Sequence, residues 1–381
     1  MTWIFWGAAL LIAYTYVGYA GWLWLRARLK PWPVLRSPQE PYVSIVMVVR
    51  NEEQCLENKL QNLLELNYPR ERYQIVVVSD GSTDRTDAIL HQRAGDSRIQ
   101  VLMNQLPRGK ACGLNDAISL ASGEIIVFSD ARQKIEPGAI RLLMESFADP
   151  AVGCVSGELM LGDPESGEAA EGMGLYWRIE KRVRELEAAS GSVVGATGAL
   201  YAVRQELLTP LFAGTILDDV YIPMHVVKQG RRVVFEPRAR VWDSPDLGSE
   251  REFSRKVRTL GGNYQLLQMA PWLLSSQNPI RFEFVSHKLL RLAVPFALAA
   301  VFVTSTLLHG STYRVALFLQ LAFYLLSLLA ALQLGLGPLG RAANAASIFV
   351  ILNTAAVVAF ANFMMGRKPG WSAEVGQRAG H

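Results

Sequence analysis

Cysteine is scarce: Cys55, Cys112 and Cys154 are the only three in 381 residues. They are too few and too scattered for a disulfide framework or a zinc site, and they suit a reducing compartment. Histidine is as sparse, with five residues and no metal-ligand spacing. Charged residues make up 19% of the chain, against about 25% in an ordinary soluble domain. The net charge of +4 gives no case for nucleic acid, because the basic residues gather beside the long apolar runs. No Gly-x-Gly-x-x-Gly follows the first strand, so a dinucleotide-binding dehydrogenase loses its main support. A P-loop is missing too: no glycine precedes Gly109-Lys110 at the required distance, and Ala111 stands where Ser or Thr would be.

What the chain has instead is long apolar runs at both ends. Trp3 to Leu25 carries no charge and is long enough to cross a bilayer. Arg26, Arg28 and Lys30 follow it, a positive flank that favours the cytoplasmic side. With no basic residues ahead of the run and no small-residue cleavage site after it, the segment reads as a retained anchor rather than a cleaved signal peptide. Three further candidates are Leu292–Leu308, Val315–Leu336 and Ala342–Met365, the first preceded by His287, Lys288 and Arg291. Both junctions of the central region are therefore basic, which places that region in the cytoplasm. One span before and three after put both chain ends on the far side, whereas Arg367 and Lys368 favour the near side. A re-entrant or interfacial segment would reconcile the two, as would an override of the charge rule.

The central region alternates strand-like and helix-like stretches. Val43–Val49 reads as a strand, and Leu56, Leu60, Leu63 and Leu64 mark a helix. The next strand, Ile75-Val76-Val77-Val78-Ser79-Asp80, is β-branched over four residues, the pattern of a strand buried on both faces. It stops at Asp80-Gly81-Ser82. Residues 99–103 form a short strand, and Ile125-Ile126-Val127-Phe128-Ser129-Asp130 repeats the apolar run that ends in Ser-Asp. Strand, helix, strand predicts a right-handed parallel unit. In such open sheets ligands lie beyond the carboxyl ends of the strands, so Asp80 and Asp130 point to one shared crevice. Helices are expected over 136–148 and roughly 172–189, the second with its charges mostly solvated. Further strands are expected at 154–159, 233–235 and 241–243. Between them lie the small-residue segment Gly195-Ala196-Thr197-Gly198 and the adjacent carboxylates Asp218-Asp219. Two neighbouring acids in apolar surroundings are costly unless hydrogen-bonded or functional.

The ordered set Asp80, Asp130 and Asp218-Asp219, framed by membrane segments, resembles the membrane-bound family 2 glycosyltransferases, among them the processive synthases of β-linked polysaccharides such as hyaluronan, chitin and cellulose. The resemblance implies an α/β nucleotide-sugar-binding domain of GT-A type with a mostly parallel central sheet. It also implies inverting transfer from a nucleotide sugar, here a UDP-sugar, to a growing polysaccharide. Single transfer to a membrane lipid and a non-catalytic sugar-nucleotide receptor are the alternatives. By position, Arg50, Glu52, Asp80 and Lys110 would meet the donor. Thr197 and Gly198 would line the acceptor end, and Asp219 would be the general base with Asp218 as helper. Asp130 would hold Mg²⁺ or Mn²⁺ on the diphosphate. The family's second metal-site aspartate is Arg132 here, which cannot ligate a metal but matches phosphate oxygens.

The processive members end the domain with Gln-x-x-Arg-Trp. Here the segment reads Arg255-Lys256-Val257-Arg258-Thr259, which keeps Arg258 for the diphosphate and loses Gln and Trp. Phe253, Val257 and Leu260 share one helix face, the pattern of an interfacial amphipathic helix. The expected organisation is an anchor over 1–30, a cytoplasmic domain over 31–250, interfacial helices over 251–288, membrane helices over 289–366 and a tail over 367–381. The expected partners are a UDP-sugar, a polysaccharide or lipid-linked acceptor and the bilayer of an inner membrane, with no nucleic acid.

Overall fold

The computed structural model describes residues 1–162, 175–243, 249–332 and 337–367. The tail beyond 367 and the expected helix start at 172–174 lie outside them. In chain order come helices α1 (Thr2–Ala13) and α2 (Tyr19–Leu29), then β1 (Val43–Val49), α3 (Leu56–Leu64), β2 (Tyr73–Asp80), α4 (Thr86–Arg93), β3 (Ile99–Asn104), α5 (Lys110–Leu120) and β4 (Ile125–Ser129). After these come β5 (Lys134–Ile135), α6 (Ala139–Glu145), β6 (Val152–Leu161), α7 (Leu175–Ser190), β7 (Leu200–Arg204), α8 (Asp218–Lys228) and β8 (Arg232–Asp243). The chain continues through α9 (Ser249–Met269), α10 (Arg281–Phe284), α11 (Leu290–Leu307), α12 (Ser311–Ala331) and α13 (Gly340–Met364).

The eight strands form one sheet in the order β3-β2-β1-β4-β7-β6-β8-β5. The β3-β2-β1-β4 half is parallel throughout, as its β-branched runs predict, and every residue of β1 is buried. β7 then enters antiparallel between β4 and β6. The expected strands at 233–235 and 241–243 are one continuous strand, β8, parallel to β6 with a register shift between Ser156 and Glu158. Pro237 is tolerated because it falls at that irregularity, where no ladder bond is lost. The small-residue segment from Val193 to Ala199 is irregular and leads into β7.

Among the described residues, four helical stretches are long and apolar enough to cross a membrane: Thr2–Leu29, Arg281–Leu307, Ser311–Ala331 and Gly340–Met364. The first and second each contain a π-helical turn, Tyr14–Gly18 and Val285–Leu289. The two turns meet where the Tyr14 hydroxyl and the Ser286 hydroxyl lie 2.8 Å apart.

Two sequence expectations are corrected at the seam between sheet and membrane helices. The charges of α7 are not mostly solvated. Glu187 is fully buried, accepts from the Tyr19 hydroxyl at 2.6 Å and contacts His287 Nδ1 at 2.8 Å. Glu180 meets His287 Nε2 at 2.8 Å and Arg291 at 2.6 Å. α7 is thus clamped between the domain and the membrane helices, and the sequence pattern could not show partners from opposite chain ends. α9 is likewise more than an interfacial helix. Tyr264 stacks on Phe363 at 5.1 Å, Leu266 is fully buried, and a Cβ at Gly262 would come within 2.6 Å of Leu217. It ties the start of α8 to α13.

Candidate active site

The carboxyl ends of β1, β2 and β4 and the N-termini of α5 and α8 converge on one crevice. Asp130 follows β4, and Lys110 is the first residue of α5. The Lys110 ammonium donates to Asp130 Oδ1 at 3.0 Å and lies 3.3 Å from Asp218 Oδ1. Burial pulls its pKa down, but Asp130, Asp218 and Asp219 outweigh burial and hold it above the ordinary lysine value. Lys110 is therefore a fixed positive charge between two carboxylates, not a solvated surface lysine.

Asp218 and Asp219 occupy the first turn of α8, where negative charge meets the positive end of the helix dipole. The helix is capped by Leu217, with no side-chain cap bond, so Asp218 is not an N-cap. It is 5% exposed and within 3.4 Å of the Tyr201 hydroxyl, whose ring stacks on Phe128 at 4.5 Å. Asp219 is partly exposed at the crevice. Burial, then the Asp218 charge, push its pKa up to about 6, against the pull of Lys110 and Lys288. A carboxylate with that value takes up a proton readily near neutral pH.

The small-residue segment wraps this carboxylate. Gly195 has φ +91°, a conformation that favours glycine. The Ala196 amide donates to the Asp219 carbonyl at 2.7 Å. At Gly198 a Cβ would sit 3.1 Å from Asp219 Oδ2, so glycine leaves that oxygen room. Thr197 is placed differently: its hydroxyl accepts from Arg184 at 2.7 Å and its amide donates to Ser156, a role inside the fold.

Asp80 is fully buried, with its oxygens accepting from the backbone amides of Arg108 and Gly109 at 2.7 and 2.8 Å. It holds the loop that launches α5 and so sets the position of Lys110. Gly81, at φ +65°, packs so closely on that loop that a Cβ would meet Pro107 N at 2.6 Å. Around Arg50 and Glu52 the β1–α3 and β2–α4 turns are sewn together. The Thr83 amide donates to Asn51 Oδ1 at 2.8 Å, and the Glu52 amide donates to Thr86 Oγ1 at 2.9 Å.

Beyond Asp130 the crevice turns basic. Arg132 is exposed. Arg255, on α9, has its pKa lowered by burial and then by the nearby Arg132 charge, and it also senses Asp243, Arg258 and Asp130. Arg255 thus faces this corner, with Arg258 near it on the same helix. As for a metal, no three His, Cys, Asp or Glu side chains assemble into a site among the described residues. The donor set at this corner is Asp130, already engaged by Lys110.

Sequence reasoning missed three basic residues. Lys59 is buried beneath Asp130 and donates to Ser129 Oγ and the Gln133 carbonyl at 2.8 and 2.7 Å. Burial lowers its pKa to about 7, with Asp130 pulling the other way. The signal was present, because Lys59 shares the buried stripe of Leu56, Leu60 and Leu63. Lys288 and Arg184 reach the Asp219 end from distant segments, and no local pattern announces them.

The fold is an α/β domain of GT-A type, joined to helices long and apolar enough to cross a membrane. Residues 44–212, a little under half of the chain, match the model of the family described as "Glycosyl transferase family 2". It is 23% identical over 252 residues to the poly-beta-1,6-N-acetyl-D-glucosamine synthase of Staphylococcus aureus, covering 64% of this chain and 60% of that one. It is 26% identical over 205 residues to the beta-monoglucosyldiacylglycerol synthase of Nostoc sp., covering 52% of this chain and 44% of the other. The chain thus aligns to less than two thirds of the length of either relative. A solved structure of similar fold is the mannosyltransferase PcManGT from Pyrobaculum calidifontis in complex with GDP-Man and Mn²⁺. It has a TM-score of 0.69 and 23% identity over 93% of this chain and 97% of that one.

Proposed function

We propose that this protein is an inverting glycosyltransferase that moves a sugar from a UDP-sugar to an acceptor hydroxyl at the cytoplasmic face of an inner membrane. The observation that carries this reading is Asp219, a carboxylate raised to about 6 beside the open position of Gly198 and within charge range of the Lys110–Asp130 pair. The acceptor oxygen bonds to the anomeric carbon while Asp219 takes its proton. The bond from that carbon to the diphosphate breaks, and its electron pair leaves with UDP. Arg132, Arg255 and Arg258 face the departing diphosphate, with guanidinium forks suited to phosphate oxygens. A divalent ion here would rest on Asp130 and the donor's own phosphate oxygens, adding positive charge to the leaving group. Arg50 and Glu52 border the nucleotide, and Asp80 acts through the loop it holds.

Two acceptor classes fit this chemistry. The name of the Staphylococcus relative supports a growing polysaccharide, and that of the Nostoc relative supports a lipid. The test of the reading is turnover of a panel of UDP-sugars and GDP-sugars by the full chain in membranes. UDP release with at least one donor is expected, and no release with any donor, including GDP-sugars, overturns it. Release of GDP from a GDP-sugar, with none from any UDP-sugar, would move the donor class and leave the chemistry standing. Arg132→Ala should weaken UDP binding by about 1.5–3 kcal/mol, the worth of a hydrogen bond to a charged group. Unchanged affinity by calorimetry removes Arg132 from the donor site.

A further inference from the structure

The start of the second membrane segment places a lysine at the candidate base and an apolar groove below it. Lys288 lies in the π-helical turn Val285–Leu289, a feature that often marks functional positions in helices. Its ammonium is near enough to Asp219 to pull that carboxylate's pKa down. Among the described residues it makes no hydrogen bond or ion pair within the protein, whereas its neighbours His287 and Arg291 are both bound to Glu180.

Below Lys288, α11 carries Pro295, Leu298, Ala299 and Phe302 at the spacing of a single helix face. These four line an open apolar groove of about 410 Å³ between α11, α12 and α13, with Leu321 and Val350 on its other walls. That volume lies within the range of about 300–1,000 Å³ usual for small-ligand sites. At about 1.5 Å per residue, Pro295 lies roughly 10 Å along the helix from Lys288. Phe302 lies roughly 10 Å further. The wall is mostly apolar; the amide of Asn353 and the hydroxyl of Tyr324 in it are already hydrogen-bonded, to the Phe349 carbonyl and to Gln320, and Thr354 adds one further hydroxyl. A sugar chain needs donors and acceptors along its path, since unpaired polar groups are costly in apolar surroundings. A hydrocarbon chain needs none.

We propose that the acceptor is a membrane lipid with a free headgroup hydroxyl, its chain lying in the α11–α13 groove and its headgroup held by Lys288 beside Asp219. This rests on the transfer reading above and selects its acceptor class. The bonds made and broken are those already given, with the lipid hydroxyl as the attacking oxygen: its proton goes to Asp219, and UDP leaves with the electron pair.

The test uses the full chain in detergent, with retained lipid read by native mass spectrometry after addition of dioleoylglycerol or dioleoylphosphatidylglycerol. Both probes carry a free hydroxyl, and the second adds a phosphate. The parent protein should retain one lipid. Ala299→Trp fills the groove from an exposed position and should cut retention of both probes at least tenfold. Lys288→Gln should cut retention of dioleoylphosphatidylglycerol at least fivefold and of dioleoylglycerol much less. UDP binding, followed by calorimetry on the same samples, should not change in either variant. Ala299→Phe carries the test if the tryptophan variant loses UDP binding. A parent that binds UDP but retains neither lipid, or a filled groove that retains lipid as before, overturns the proposal. Equal effects of Lys288→Gln on both probes remove the lysine from the headgroup site. Groove-dependent lipid retention by a protein that turns over no nucleotide sugar would sink the transfer reading instead, so the two failures are distinct.

Discussion

Replacing Asp219 by Asn should lower single-turnover sugar transfer by about 10²–10⁴-fold, the usual contribution of general acid–base catalysis, with UDP affinity retained. An acceptor hydroxyl is a poor nucleophile until its proton is taken. Asn keeps the shape of the side chain and the room provided by Gly198 but cannot accept that proton. Asp218→Asn should do less damage, because Asp218 faces inward to Lys110 and Tyr201. The pH profile gives an independent check. Asp219 acts only when deprotonated, so the acid limb of kcat/KM should fall with a midpoint near its pKa of about 6, about tenfold per pH unit below that value. Transfer by Asp219→Asn at near the parent rate would place the base elsewhere.

The second large effect is expected at Lys110. Its ammonium lies between Asp130 and Asp218, and Lys110→Met leaves these carboxylates facing each other without the cation. Breaking a fully buried pair in this way costs about 3–5 kcal/mol. With the lysine side chain 21% exposed, a loss nearer 2–3 kcal/mol is expected after allowance for solvent screening. The sign of the pH effect follows from the charges. Lys110 lowers the Asp219 pKa, so removing it raises that pKa and moves the acid limb of kcat/KM to higher pH. Lys110→Arg restores the charge and should return the limb most of the way. A limb that stays in place in the methionine variant would mean that Lys110 does not sense the catalytic carboxylate.

Much of this site was legible because its chemistry sits at strand ends. The β-branched runs before Asp80 and Asp130 marked buried parallel strands, and chain order alone brought both to one edge of the sheet. The adjacent acids Asp218-Asp219 stood out because two carboxylates need a reason to share an apolar setting. The part Asp80 plays was not legible: what its oxygens hold, the amides of Arg108 and Gly109, depends on a loop 28 residues away. The antiparallel entry of β7 was hidden too, since a short strand buried on both faces reads the same in either direction. α7 misled most. Its charges resembled a solvated surface, and only the arrival of Tyr19, His287 and Arg291 from the two ends of the chain buries them. Arg255 and Arg258 are three residues apart on one helix, and that Arg255 meets the Asp130 corner is set by how α9 packs on α13, not by a motif.

The central claim is in-line transfer from a nucleotide sugar with Asp219 on the face opposite the departing diphosphate. The most direct measurement is the anomeric configuration of the product formed from an α-linked UDP-sugar, read by proton NMR on a single-turnover reaction of the full chain in membranes. A β-linked product, formed by the parent and lost in Asp219→Asn, is the predicted result. An α-linked product would contradict the account, because retention requires either a second displacement or attack from the diphosphate side, and neither is the role assigned to Asp219.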